Sequence, residues 1–344
     1  MPERGNGVVR RSIVMVTAMA AVSLAVGGCD KNPISTAPPT IEPARPAVSP
    51  PAATAPAGRV LPLAGSPQSA SIDAASGSLV VFTPAATAAT LTVFPKNGAP
   101  RTVALPGPAT AVADGDDGTF YAATRGGFFT VDLAAGKSAR TAVEGQQNTD
   151  FTAIARRADG RIVLGSADGS ALTLGQDNRV AGTADLFARV DAIVALGNTA
   201  VVLDRAQTSV TELHPDGSPA LALRAGLGAT TIAADPMGRV LVTDTRGGQL
   251  LVFGVDPLME RQAYPVGGAP YGVAGSKTLV WVSLTETNTV VGYDLATGIP
   301  VEKVRYPTVQ QPNALAFDDT TGTLYVVSGT GGGVQVIRDA GGSR

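Results

Sequence analysis

Seven short apolar stretches recur along this chain at nearly constant spacing, and that period restricts the possible fold more than any other feature. They are SASID at 69, TAVAD at 110, FTAIA at 151, VDAIV at 190, TTIAA at 230, YGVAG at 271 and PNALAF at 312. With Ile72, Val112, Ile154, Ile193, Ile232, Val273 and Leu315 as equivalents, the successive intervals are 40, 42, 39, 39, 41 and 42 residues. A period of this size is that of a four-stranded propeller blade.

Each unit repeats one script. A turn such as DDG (116), ADG (158), DPMG (235) or DTTG (319) leads into an apolar second strand, TFYAAT, RIVLGS, RVLVTD or TLYVVS. A second turn opens a third strand, and a fourth closes the unit, as in RTVAL or EKVRYP. Gly and Asp at the turns supply the positive φ angles and side-chain caps that tight hairpins need. The composition agrees: 41 Gly, 25 Pro and only 16% charged residues suit short strands and tight turns rather than long helices. The seventh unit stops after three strands, at GVQVIRDAGGSR, and the missing fourth is expected to be RVLPLAG, residues 59 to 65, which resembles RTVALPG at 101. Pairing the two termini closes the ring and removes exposed sheet edges. The expected fold is an all-β, seven-bladed propeller over residues 59–344. A solenoid or a sandwich is the alternative, and neither explains a fourth strand displaced to the opposite terminus.

The N-terminus reads differently. Arg4, Arg10 and Arg11 precede the apolar run SIVMVTAMAAVSLAV, residues 12 to 26, which stops at GGC. This is the order of a secretory signal, and the run is shorter than the roughly 20 apolar residues that span a bilayer. VGGC resembles a lipobox, which implies cleavage after residue 28 and lipid attachment to Cys29, the single cysteine of the chain. The competing reading is an ordinary secretory signal with an incidental cysteine. RRSIV, residues 10 to 14, also faintly resembles a twin-arginine export signal; the general secretory route is the default. Removing residues 1–28 takes away three arginines and Glu3, leaving 23 basic and 27 acidic side chains. That balance gives no grip on nucleic acid or on an anionic membrane surface, so the expected membrane contact is the lipid itself. From residue 29 to 58 the tract is proline-rich with almost no large apolar residue, and is expected to be a disordered, extended spacer reaching up to about 90 Å. Ser35, Thr36, Thr40, Ser49 and Thr54 beside its prolines are candidate O-glycosylation sites.

One repeat carries a family resemblance. GGAPYGVAGSKTLVWVSLTETNTVVGYDLATGIPVEKV, residues 267 to 304, resembles the YVTN type of propeller repeat, closely there and more loosely at 312–337 and 229–255. Together with the lipobox and the proline tract, the chain is similar to a family of actinobacterial envelope lipoproteins. That similarity implies a propeller held at the outer face of the cell membrane and implies no reaction.

Catalytic chemistry is sparse in the sequence. The one histidine, His214 in LHPDGS, falls in a hairpin between third and fourth strands, away from the face where propellers bind ligands. Loops leading into first strands carry Gln68, Asp150, Asp191, Tyr271 and Asn313; loops between second and third strands carry Arg125, Asp168, Arg205, Arg246 and Glu286. No cofactor is expected as a rule. Asp150, Asp191 and Asn313 can offer oxygens to Ca²⁺, a hard cation that takes six to eight of them, although turn capping is the simpler role. Arg125, Arg205 and Arg246 recur at one turn position and can together hold a carboxylate, phosphate or acidic sugar; pairing with nearby acids such as Asp204 or Asp244 is the structural alternative. The repeat also loosely resembles gluconolactonase-like hydrolases, which use a central metal. Those enzymes start an inner strand with glutamate, and none of the seven inner strands here does so. The expectation is therefore a monomeric, non-enzymatic module that binds envelope proteins, glycans or small anionic ligands, with a metal-dependent lactonase-like hydrolase as the alternative.

Overall fold

The computed structural model describes residues 39–115 and 117–342. The signal-like segment, the lipobox and Cys29 lie outside them. Every regular element among the described residues is a strand, and the strands form seven antiparallel four-stranded sheets. The inner strands are Ser69–Ile72, Ala111–Asp114, Phe151–Arg156, Ala192–Leu196, Ala229–Ala234, Pro270–Gly275 and Pro312–Asp318. These are the seven stretches that set the sequence period.

The ring closes as the displaced repeat requires. Arg59–Leu61 pairs with Val334–Ile337 in the register Arg59 to Val336, Val60 to Gln335 and Leu61 to Val334, and so becomes the fourth strand of blade seven. Gly58 turns the chain into that strand at φ 71°, and a side chain there would run into the carbonyl of Val336.

Double-sided burial explains why the second and third strands read as unbroken apolar runs. In blade four Ala200 and Val202 face blade three, whereas Val201 and Leu203 face blade five. Each of seven hydrophobic clusters joins one pair of neighbouring blades, the last linking blade seven to blade one through Val327, Val334, Leu79 and Val81. Trp281 is fully buried between blades six and seven, stacked 5.6 Å from Phe317 and 6.4 Å from Tyr306. Fourth strands face solvent and alternate polar side chains, as in Lys137–Ala142. His214 sits exposed in the expected hairpin, and its carbonyl accepts a hydrogen bond from the buried Arg157.

Residues 39–58 of the proline tract depart from the spacer expected, whereas residues 29–38, with Ser35 and Thr36, lie outside the described residues. Residues 39–58 form no strand or helix, yet from Ile41 onward they are fastened to the propeller. The Ile41 amide donates to the Ala206 carbonyl in blade four, and the Ala57 amide to Pro307 in blade six. Between these points the chain forms a strap over blades four to seven. Prolines deny the segment helix and sheet, but they leave its carbonyls free to accept bonds from elsewhere. Ser49 is buried and its hydroxyl donates to the Thr285 carbonyl, so in this conformation it offers no site for a sugar.

Candidate functional site

All seven period-defining side chains, from Ile72 to Leu315, line the central channel, a cavity of about 520 Å³. Its walls are small or apolar, because each inner strand turns its alternate residues onto the axis. Polar groups gather at one end, where the loops entering the first strands meet those between second and third strands. Gln68, Asp191, Arg205, Tyr271 and Asn313 stand there. A second cavity, about 580 Å³, lies between this mouth and the strap and shares Asp191, Arg205 and Tyr271 with the channel. Glu42, Arg45 and Arg189 complete its charged lining.

Asp191 is the most constrained of these groups. Its Oδ2 accepts the Arg205 backbone N–H at 2.8 Å, and its Oδ1 lies 3.3 Å from the Arg189 guanidinium. Burial raises its pKa above the ordinary 3.8, against the opposing pull of the Arg205 N–H bond. Burial likewise raises Tyr271, with the Arg205 charge opposing. Arg205 donates through Nη2 to the Ala44 carbonyl of the strap, while its buried Nε has no hydrogen-bond partner. A buried donor without a partner is costly, and a guanidinium in this state is a ready contact for an incoming acceptor.

The three arginines singled out in the sequence do not converge. Arg125 pairs with Asp150 at 3.3 Å on the rim of blades two and three, both side chains being about 60% exposed (61% and 60%). Arg246 is exposed over blade five and donates to the Glu42 carbonyl at 2.6 Å. Only Arg205 of the three lines the channel. Nor do their sequence neighbours pair with them: Asp204 and Asp244 turn inward and cap backbone amides. Asp244 accepts the N–H groups of Leu227, Gly228 and Gly247, and Asp204 those of Ala188, Arg189 and Gln207.

The three oxygen donors proposed for Ca²⁺ are also apart in role. Asp150 is held by Arg125, Asp191 by Arg205 and Arg189, and Asn313 accepts from Gln311 at 3.0 Å. Among the described residues no three His, Cys, Asp or Glu side chains come together as a metal-binding group. Arg189 and the strap residues carry no such signal in the sequence: Arg189 lies two residues before Asp191, outside the repeated loop positions, and a proline-rich tract has no apolar periodicity.

Residues 67–330 match the family model for the SMP-30/gluconolactonase/LRE-like region. Among solved structures, a streptogramin B lyase superposes with a TM-score of 0.67 at 11% identity, covering 83% of this chain and 97% of that one. Virginiamycin B lyase from Staphylococcus aureus gives 0.64 at 13% identity over 79% and 96% of the two chains. Hydrazine synthase of Kuenenia stuttgartiensis gives 0.64 at 12% identity over 83% and 99%. At such identities the likeness is one of fold. No curated protein matches the chain by sequence. The YVTN-like spelling of blade six remains a resemblance of that repeat, and the match over residues 67–330 places the chain in the SMP-30/gluconolactonase/LRE-like family.

Proposed function

We propose that the protein is an exported, lipid-anchored propeller whose channel mouth binds a small organic acid, of which a sugar acid is the best fit. The observation that carries this reading is Arg205, which lines both cavities and whose buried Nε has no hydrogen-bond partner. Arg45, Arg189 and Arg205 against Glu42 and Asp191 leave the lining one positive charge in excess, which favours a monoanion. Tyr271 offers a ring face and a hydroxyl for a polyhydroxylated ligand, and the family name, with its gluconolactonase, supports the sugar-acid class. Attachment at Cys29 places this site near a membrane. Because the strap is fastened from Ile41 on, eleven residues, 30–40, separate Cys29 from the first fastened residue.

The competing reading is a lactonase-like hydrolase at the same mouth, supported by the family match. Calorimetric titration with gluconate, beside an assay of gluconolactone turnover, separates the two. Binding without turnover is expected, lost in Arg205→Ala and retained in Arg125→Ala. Turnover that disappears in Asp191→Asn favours the hydrolase, and gluconate binding that is indifferent to Arg205 refutes the site.

A further inference from the structure

We propose that the face of blades four to seven is a recognition site for an extended, proline-containing peptide, and that residues 41–50 are its resident ligand. Prolines at 43, 46 and 50 remove amide donors from this segment, so a receptor must read it through its carbonyls. The propeller does this with five side chains. Arg246 takes the Glu42 carbonyl, Arg205 that of Ala44, Gln311 that of Ala47 at 3.0 Å, Gln310 that of Ser49 at 3.0 Å, and Asn288 that of Pro50 at 2.7 Å. Gln311 also accepts the Ser49 N–H through Oε1 at 3.0 Å, so one amide grips the backbone at two points.

Two strap side chains are fully seated, while Ile41, Pro43, Pro46 and Ala47 are half-buried and Glu42, Arg45, Val48 and Pro50 are exposed. Ala44, 6% exposed, lies against Gly228, where an added Cβ would come to 3.0 Å of the Ala44 methyl. Ser49, 3% exposed, donates to the Thr285 carbonyl at 2.5 Å. Val48 between them is 91% exposed. The pattern read is thus a small residue followed five positions later by serine and then proline, in a backbone without regular structure.

The receptor side is built for the task. Asn288 and Gln311 are buried and hold φ of 49° and 56°, a conformation that costs non-glycine residues energy. Asn288 Oδ1 accepts the Gln311 backbone N–H at 3.2 Å, and Gln311 Nε2 also donates to Asn313 Oδ1 at 3.0 Å, which orients the two side-chain amides. Donors aimed at backbone carbonyls, two of them the buried Asn288 and Gln311, read the spacing of an extended chain, and the seats of Ala44 and Ser49 add the side-chain requirement. The resident peptide leaves through Pro51–Ala55, exposed throughout, so its covalent link is separable from its contacts. A tether raises the local concentration of the resident segment, and a competing segment of another polypeptide must overcome that advantage.

The test uses the mature chain with a specific protease sequence in place of Ala52–Ala55, cut after folding, and a fluorophore on the N-terminal fragment. The fragment is expected to remain with the propeller and to exchange with an excess of synthetic PTIEPARPAVSPPA. The same peptide carrying Ser49→Leu should not exchange. Asn288→Ala with Gln311→Ala, neither of which lines the channel or mouth cavity, should loosen retention by about tenfold or more, with the melting of the propeller as a check on folding. A fragment that departs on cleavage and does not rebind overturns the proposal, as does one that no excess of peptide displaces, or one displaced equally well by the leucine peptide.

Discussion

Asp244→Ala is expected to be among the most damaging single substitutions in the propeller. Its carboxylate is fully buried and accepts three backbone N–H groups, from Leu227 at 2.7 Å and from Gly228 and Gly247 at 2.8 Å each. Two of these belong to the loop entering blade five and one to the turn that bears Arg246, so the carboxylate ties the two loop sets of the mouth together. Gly226 and Gly247 leave room for it; a Cβ at either would fall on its oxygens. Removing it strands three donors. At about 1–2 kcal/mol for each the loss is about 3–6 kcal/mol, at the upper end of single substitutions. With a urea m-value of about 3 kcal/mol/M, the midpoint should fall by about 1–2 M. Trp281, the single tryptophan, is buried in blade six and reports unfolding by its fluorescence. Asp150→Ala is the control: its exposed pair with Arg125 should be worth no more than about 0.5 kcal/mol. Equal midpoints for the two variants would refute the assignment of Asp244 as a strut.

Other consequences are as direct. Burial raises the Asp191 pKa above that of the unfolded chain, so the fold is favoured below the unfolded value and loses that contribution as pH rises through the folded one. Asp191→Asn should therefore gain stability relative to the parent as pH rises from 3 to 7, measured by urea midpoints; a gap that narrows over that range would contradict the cause given. Gly58→Ala, which drives a methyl into the Val336 carbonyl, should open the closing strand and speed hydrogen exchange at Val60 and Val336 by about tenfold while blades two to five stay protected.

The ring was legible in the sequence because every blade solves one burial problem with the same spacing. Ile72 and Leu315 are 243 residues apart yet play one part, and the closing strand betrayed itself by resembling RTVAL. Of the expected 59 to 65, only Arg59–Leu61 pairs, because the chain must then leave the sheet edge to reach blade one. The site was less legible. Arg125, Arg205 and Arg246 share a turn position, but seven-fold placement spreads equivalent residues around a rim instead of gathering them. Acids adjacent in sequence proved poor guides as well, since Asp204 and Asp244 are drawn inward by unpaired amides. The strap was hidden for a different reason. A tract with no apolar periodicity carries no packing signal, and its fastening depends on carbonyls that every residue possesses. Asn288, Gln310 and Gln311 look like ordinary loop amides until their partners are seen.

That the mouth around Arg205 takes the ligand is a proposal that a crystal structure grown with excess gluconate would test without intermediaries. A carboxylate about 3 Å from the Arg205 guanidinium is expected, with hydroxyls facing Asp191 and Tyr271. Gluconate bound at another face, with Arg205 Nε still lacking an acceptor, would contradict it.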